Sequence, residues 1–134
     1  MAGIRSSGTK IERQLYSSLL ERLGPNTEVL ANARGYPGRP DVLIPSLRVA
    51  IFAQGCFYHC CPRHGQRPAS NQSYWLPKLE RNLRRDRSDS RRLRALGYSV
   101  WRVWEHDLEG RAFLKTLALL DRRIIKRQVS LKER

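Results

Sequence analysis

Apolar positions Ile11, Leu15 and Leu19 recur at helical spacing behind a Thr9-x-x-Glu12 capping box, which predicts a helix that begins at Thr9 and stops at Gly24-Pro25. Glu28 to Ala31 reads as a short strand, and Tyr36-Pro37-Gly38-Arg39-Pro40 as a turn-rich loop leading into Asp41. Next come two apolar, β-branched runs, Val42-Leu43-Ile44 and Leu47 to Ala53, split by Pro45-Ser46, which predict a hairpin. The second run is almost continuously hydrophobic, as in a central strand buried on both faces.

The second half alternates in the same way. A long helix is predicted from near Ser73 to Leu96, with Pro77 close to its first turn and Gly97 as its stop. Tyr98 to Trp104 reads as a strand running into Glu105-His106. A last helix, about Ala112 to Lys126, carries Phe113, Leu117, Leu120 and Ile124 on one side, and a basic tail follows from about residue 127. This order predicts an α/β protein with a central sheet flanked by helices. A length of 134 residues suits one domain over 1–134.

Charge changes the picture. Lys and Arg number 26 against 12 acidic residues, a formal +14, and 14 of the 26 fall between Lys78 and Arg94 or between Arg122 and Arg134. Such a field draws polyanions and points to nucleic acid. No segment reaches a membrane span, and the N-terminus has no secretory core, so a cytoplasmic protein is expected.

The three cysteines, at 56, 60 and 61, lie within six positions, which argues for a metal site over a disulfide framework. Cys56, Cys61 and His64 stand at zinc-ligand spacing within Cys56-Phe57-Tyr58-His59-Cys60-Cys61-Pro62-Arg63-His64. His106 offers a well-separated fourth ligand, which leaves His59 free for acid–base work; the competing assignment makes His59 the fourth ligand. Cys60 is a spare thiol, or a ligand if the register is off by one.

Two carboxylates stand out. Asp41 heads an apolar strand, either as a turn residue or as a ligand for Mg²⁺. Asp86 falls on the apolar stripe Leu76, Leu79, Leu83, Leu93, Leu96, where a carboxylate needs a partner. That partner is an arginine such as Arg85, or His59. Phe57 and Tyr58 are core residues or a wedge for base steps. The basic helix face, from Lys78 through Arg81 and Arg85, is a solvated surface or a phosphate clamp. Trp75, Trp101 and Trp104 read as packing.

The segments Gly38-Arg39-Pro40-Asp41, Gly55 to His64, Tyr74 to Asp86 and Val103-Trp104-Glu105-His106, in this order, resemble the very-short-patch-repair (Vsr) endonucleases over roughly residues 1–108. The resemblance implies a restriction-endonuclease-like fold with a structural zinc knob, and a Mg²⁺-dependent enzyme that nicks one strand of duplex DNA beside a T·G mismatch. By position it makes Asp41 the Mg²⁺-binding carboxylate, the carbonyl of Ala53 a second oxygen, His59 the catalytic histidine, Asp86 its supporting carboxylate, and Glu12 an acidic neighbour. It also implies Phe57 and Tyr58 as intercalating aromatics, and Cys56, Cys61, His64 and His106 as zinc ligands. Tyr58 stands where tryptophan is usual, Cys60 where a small or polar residue is, and residue 53 offers only its carbonyl. The chain begins at the capping segment, without the longer arm some members lay in the minor groove. A monomer is expected, with room for repair or methyltransferase partners. The alternatives are a restriction or defence nuclease acting on matched DNA, and a non-catalytic zinc-stapled binding module.

Overall fold

The computed structural model describes the backbone of residues 2–63 and 68–133, and the side chains of 10–63 and 68–133. Helix α1 (Ala2–Leu23) precedes strands β1 (Leu30–Ala31), β2 (Val42–Ile44) and β3 (Val49–Gln54); helix α2 (Gln72–Ala95), strand β4 (Ser99–Trp104) and helix α3 (Ala112–Lys132) follow. The sheet order is β1-β2-β3-β4. The expected hairpin forms, with β2 antiparallel to β3 in the register Val42↔Ile51, Leu43↔Ala50, Ile44↔Val49. Its turn is the 3-10 segment Pro45–Leu47 closed by Arg48 at φ 51°, which delays the strand to Val49. β4 runs parallel to β3, from Val49↔Ser99 to Gln54↔Trp104, with α2 as the crossover.

Alternation along the strands divides the core into two layers. Val42, Ile44, Val49, Ile51 and Val103 face α1 and α3, meeting Leu15, Leu19, Phe113, Leu117, Leu120 and Ile124. Leu43, Ala50 and Phe52 face the other way and meet Leu93 of α2. All of Val49–Phe52 is buried, as the continuous apolar run requires. The sheet thus lies between α1/α3 and α2, a mixed α/β sandwich. Among the described residues no helix is long and apolar enough to cross a membrane.

Three expectations are corrected. Helix α1 starts at Ala2, so the Thr9-x-x-Glu12 spacing lies inside it and does not mark its start. No proline interrupts residues 2–23, and the helical ladder already engages the amides that Thr9 would cap. The apolar stripe of α2 ends at Leu93, and Leu96 is 51% exposed beyond the helix. The last helix passes its expected end at Lys126: α3 continues through the basic segment to Lys132. Arg127 ties it down, donating from Nε to the Leu47 carbonyl at 2.8 Å and from Nη2 to that of Gly97 at 3.2 Å. These two loop carbonyls explain why a charged residue sits on an inward-facing turn.

Candidate active site

The carboxyl ends of β3 and β4 lie side by side, where parallel strands present ligands and catalytic groups. A cavity of about 530 Å³ opens there, lined among others by Asp41, Ala53, Gln54, His59, Arg85 and Asp86. Asp41 enters β2 as it leaves the Tyr36–Pro40 turn. Its Oδ2 accepts a 2.7 Å hydrogen bond from the Ala53 N–H, which pins the carboxylate to the strand that carries residue 53.

Glu12 approaches Asp41 from α1. Asp41 is raised to about 7, first by burial, with the nearby Glu12 adding to the rise and the Ala53 amide opposing it. Glu12 is also raised, chiefly by burial, with its hydrogen bond to Asp41 pulling the other way. Two carboxyls pressed together in a partly dry pocket repel when both are ionised. A hard divalent cation relieves that repulsion, and one or two carboxylates with water and phosphate oxygens make a Mg²⁺ shell. The donor set therefore fits the ion.

The second pair is His59 and Asp86. The turn after β3 carries the imidazole to α2, where Nδ1 lies 2.6 Å from Asp86 Oδ2. Asp86 meets both partners weighed for it, but the arginine is Arg102, with Nη1 3.9 Å from Oδ1. Arg85 instead donates to Asn82 Oδ1 at the cavity wall. Arg102 is locked in place by the Asp86 carbonyl at 2.8 Å, the Ser90 hydroxyl at 2.6 Å and the Phe52 ring 4.4 Å away. Burial lowers Arg102 from its usual value, with Asp86 and Asp89 opposing.

Beside this pocket, Cys56, Cys61 and His106 bring their ligand atoms within 4.8 Å of one another. The strand register explains the meeting: Gln54 pairs with Trp104, so Cys56 and His106 both lie two residues past the paired ends. His106 Nδ1 is 3.3 Å from Cys56 Sγ and 3.7 Å from Cys61 Sγ. Ligands on a tetrahedral zinc, with Zn–S about 2.3 Å and Zn–N about 2.0 Å, stand roughly 3.5 Å apart. The trio therefore fits zinc. His106 Nε2 sits 3.5 Å from Asp107, a carboxylate suited to orient the ring. Burial pushes the Cys56 thiol up, so ligation would release its proton. His64 lies outside the described residues. His59 is turned toward Asp86, and Cys60, at φ 56°, stays outside the Cys56–Cys61–His106 group.

The aromatics are neither plain core nor isolated wedges. Phe57 and Tyr58 are half-buried, with ring centroids 5.3 Å apart, and Phe57 lies 5.3 Å from Trp75. Tyr74, 59% exposed, packs on Trp75 at 5.1 Å, and Lys78 Nζ lies 5.4 Å from the Trp75 ring. Arg81 is exposed on α2, outside the cavity lining. Sequence reasoning missed Gln54, Arg102, Asn82, Arg39 and the grouping of Tyr74 and Trp75 with the knob. A polar residue closing an apolar strand was a readable signal for Gln54 alone.

The class is set by comparison with known proteins. The family profile described as DNA mismatch endonuclease Vsr matches residues 1–64. The chain is 43% identical over 110 residues to the type II nicking enzyme V.NaeI of Lentzea aerocolonigenes, covering 80% of this chain and 66% of that one. It is 37% identical over 126 residues to the DNA mismatch endonuclease Vsr of Escherichia coli, covering 91% and 77%. It is 38% identical over 111 residues to the type II nicking enzyme V.XorIIP of Xanthomonas oryzae pv. oryzae, covering 81% and 78%. These relatives define a DNA endonuclease. The chain belongs to the Vsr family, which makes its mixed α/β sandwich restriction-endonuclease-like.

Proposed function

We propose that this protein nicks one strand of duplex DNA at or beside a mismatched pair, T·G foremost, with Mg²⁺ as cofactor and zinc as a structural ion. The observation that carries the reading is the convergence of Asp41, hydrogen-bonded to Glu12, and the His59–Asp86 pair on one cavity rimmed by arginines. The names of the relatives, a mismatch endonuclease and nicking enzymes, support the strand-nicking and mismatch parts.

When bound, Mg²⁺ would supply charge to polarise the scissile phosphate and stabilise the departing oxygen. Asp41 is the residue to hold it, with the Ala53 carbonyl as a second oxygen and Glu12 alongside. His59, steadied by Asp86, takes the proton of the attacking water. Arg39 and Arg85 on the cavity lining attract the phosphates that flank the cut. Phe57 and Tyr58, braced on Trp75, enter the stack at a weakened pair, which unstacks at lower cost than a matched one. Cys56, Cys61 and His106, with His64, hold the zinc that shapes the knob carrying both aromatics and His59. A DNA substrate supports the expected cytoplasmic location, and a monomer is the simplest form of this scheme, since Asp41, Glu12, His59 and Asp86 all come from one chain.

The test compares the wild type and Asp41→Ala, with Mg²⁺, on a matched duplex and on duplexes carrying T·G in varied contexts. A nick confined to the mismatched duplexes and lost in the variant is expected. Equal cleavage of the matched duplex would move the protein to a restriction-type role. Binding without cleavage under any divalent ion would leave a zinc-stapled binding module.

A further inference from the structure

Gln54 closes β3 with a side chain that is 3% exposed. A buried amide is costly unless its hydrogen bonds are made. Its Nε2 lies 3.3 Å from Asp86 Oδ2 and 3.2 Å from His59 Nδ1, while those two atoms are 2.6 Å apart. The three atoms form a closed triangle, and an amide nitrogen can only donate.

With the imidazole neutral, two proton arrangements are open to this triangle. In one, His59 Nδ1–H and the Gln54 amide both donate to Asp86 Oδ2, whose two lone pairs accept both. In the other, Asp86 is protonated, and its hydroxyl competes with the amide for the single in-plane lone pair of Nδ1. The second wastes a donor, and it also sets a neutral acid beside the Arg102 guanidinium, 3.9 Å from Oδ1. Turning the amide over would press its oxygen against the carboxylate. The first arrangement is therefore favoured. It leaves the Nε2 of His59 as the bare ring nitrogen in a residue that lines the cavity.

We propose that Gln54 is a positioning residue: by occupying the second lone pair of Asp86 Oδ2, it holds His59 in the Nδ1–H tautomer with Nε2 ready to accept a proton. The value of that tautomer rests on His59 acting as the base in the proposed function, whereas the tautomer itself does not.

Two substitutions test it on the zinc-loaded protein. Gln54→Met removes the donor at similar volume, and Gln54→Asn withdraws the amide by one methylene. Long-range ¹⁵N–¹H NMR of the His59 ring is expected to show Nδ1–H in the wild type and a measurably smaller share of that tautomer in both variants. Single-turnover nicking of a T·G duplex is expected to slow by roughly 10- to 100-fold, with the Kd for that duplex changed less than about twofold. A double variant with Asp86→Asn should be no slower than Asp86→Asn alone, because Gln54 acts only through Asp86. An unchanged tautomer in the variants overturns the proposal whether or not the protein cuts DNA. So does a rate loss that multiplies with that of Asp86→Asn, or one confined to duplex binding. Should the wild type fail to nick while the NMR result stands, the functional reading fails and the positioning of His59 survives.

Discussion

Replacing Asp41 by Asn should make the Mg²⁺-free protein more stable at alkaline pH while abolishing its nicking. Burial and Glu12 raise Asp41 from 3.8 to about 7, a displacement of roughly three pH units. At about 1.36 kcal/mol per pH unit, ionising this carboxyl in the folded protein costs up to about 4 kcal/mol relative to the unfolded chain. The carboxyl is only part-buried, so screening by water reduces this to roughly 2 kcal/mol in practice. The sign follows from proton linkage. Between pH 3.8 and about 7 the folded state holds a proton that the unfolded chain has released, so stability falls as pH rises through that window. Below 3.8 the penalty is absent, and above about 7 it is complete. Asn keeps an oxygen for the Ala53 N–H and offers Glu12 a donor, so the substitution removes the charge and little else. Denaturant unfolding of zinc-loaded wild type and Asp41→Asn, in Mg²⁺-free buffer from pH 4 to 8.5, measures the difference. The variants should converge near pH 4 and separate by roughly 2 kcal/mol at pH 8, or a Tm gain of roughly 5–10 °C. Added Mg²⁺ should raise the wild type and leave the variant unmoved. A destabilised Asp41→Asn at pH 8, or a difference that does not grow with pH, would refute the reasoning.

Other consequences are open to direct measurement. Cys61→Ser should lose bound zinc and unfold the knob, seen as metal loss by atomic absorption and a lowered Tm; full stability without zinc would reject the structural ion. His59→Ala should lower the nicking rate by roughly 10²–10⁴-fold with duplex affinity kept, read by single-turnover kinetics and gel shift. Arg85→Ala should weaken binding to all sequences alike and flatten the log K against log salt slope by about one, whereas an unchanged slope would remove it from the phosphate contacts. Arg127→Ala releases two loop carbonyls, and should destabilise the fold by roughly 1–3 kcal/mol in denaturant melts.

How far these sites could be read in the chain depended on the kind of signal each residue carries. Local patterning located the central hairpin, because a run as apolar as Val49–Phe52 has few alternatives to burial on both faces. It misplaced the start of α1, since a Thr-x-x-Glu spacing has meaning only where the backbone outside it leaves the helix. Glu12, freed from capping, turned out to face Asp41 across two elements. Asp86 was legible as an anomaly, a charge on an apolar stripe, although the stripe could not say whether an arginine or a histidine answered it. In the structure Arg102 and His59 both do, one at each carboxylate oxygen.

What remained hidden was everything fixed by the β3–β4 register. Arg102 reads in sequence as the polar position of a half-exposed strand, yet it faces α2 and spends its donors on the Asp86 carbonyl and Ser90. Gln54 reads as the polar end of a hydrophobic run, and its meaning depends on an imidazole five residues on and a carboxylate thirty-two away. The same parallel pairing, ending at Gln54↔Trp104, carries Cys56 and His106 two steps further to a common point. One register thus positions both the cysteine–histidine cluster and the histidine–aspartate pair. A slip of one residue would turn every inward side chain of β4 to the opposite face, so it would break the Cys56–Cys61–His106 group and the Arg102 brace together. The Cys56–Cys61–His106 cluster and the His59–Asp86 pair therefore rest on one strand pairing, and removal of the proposed zinc should be felt at His59 before it is felt in the core.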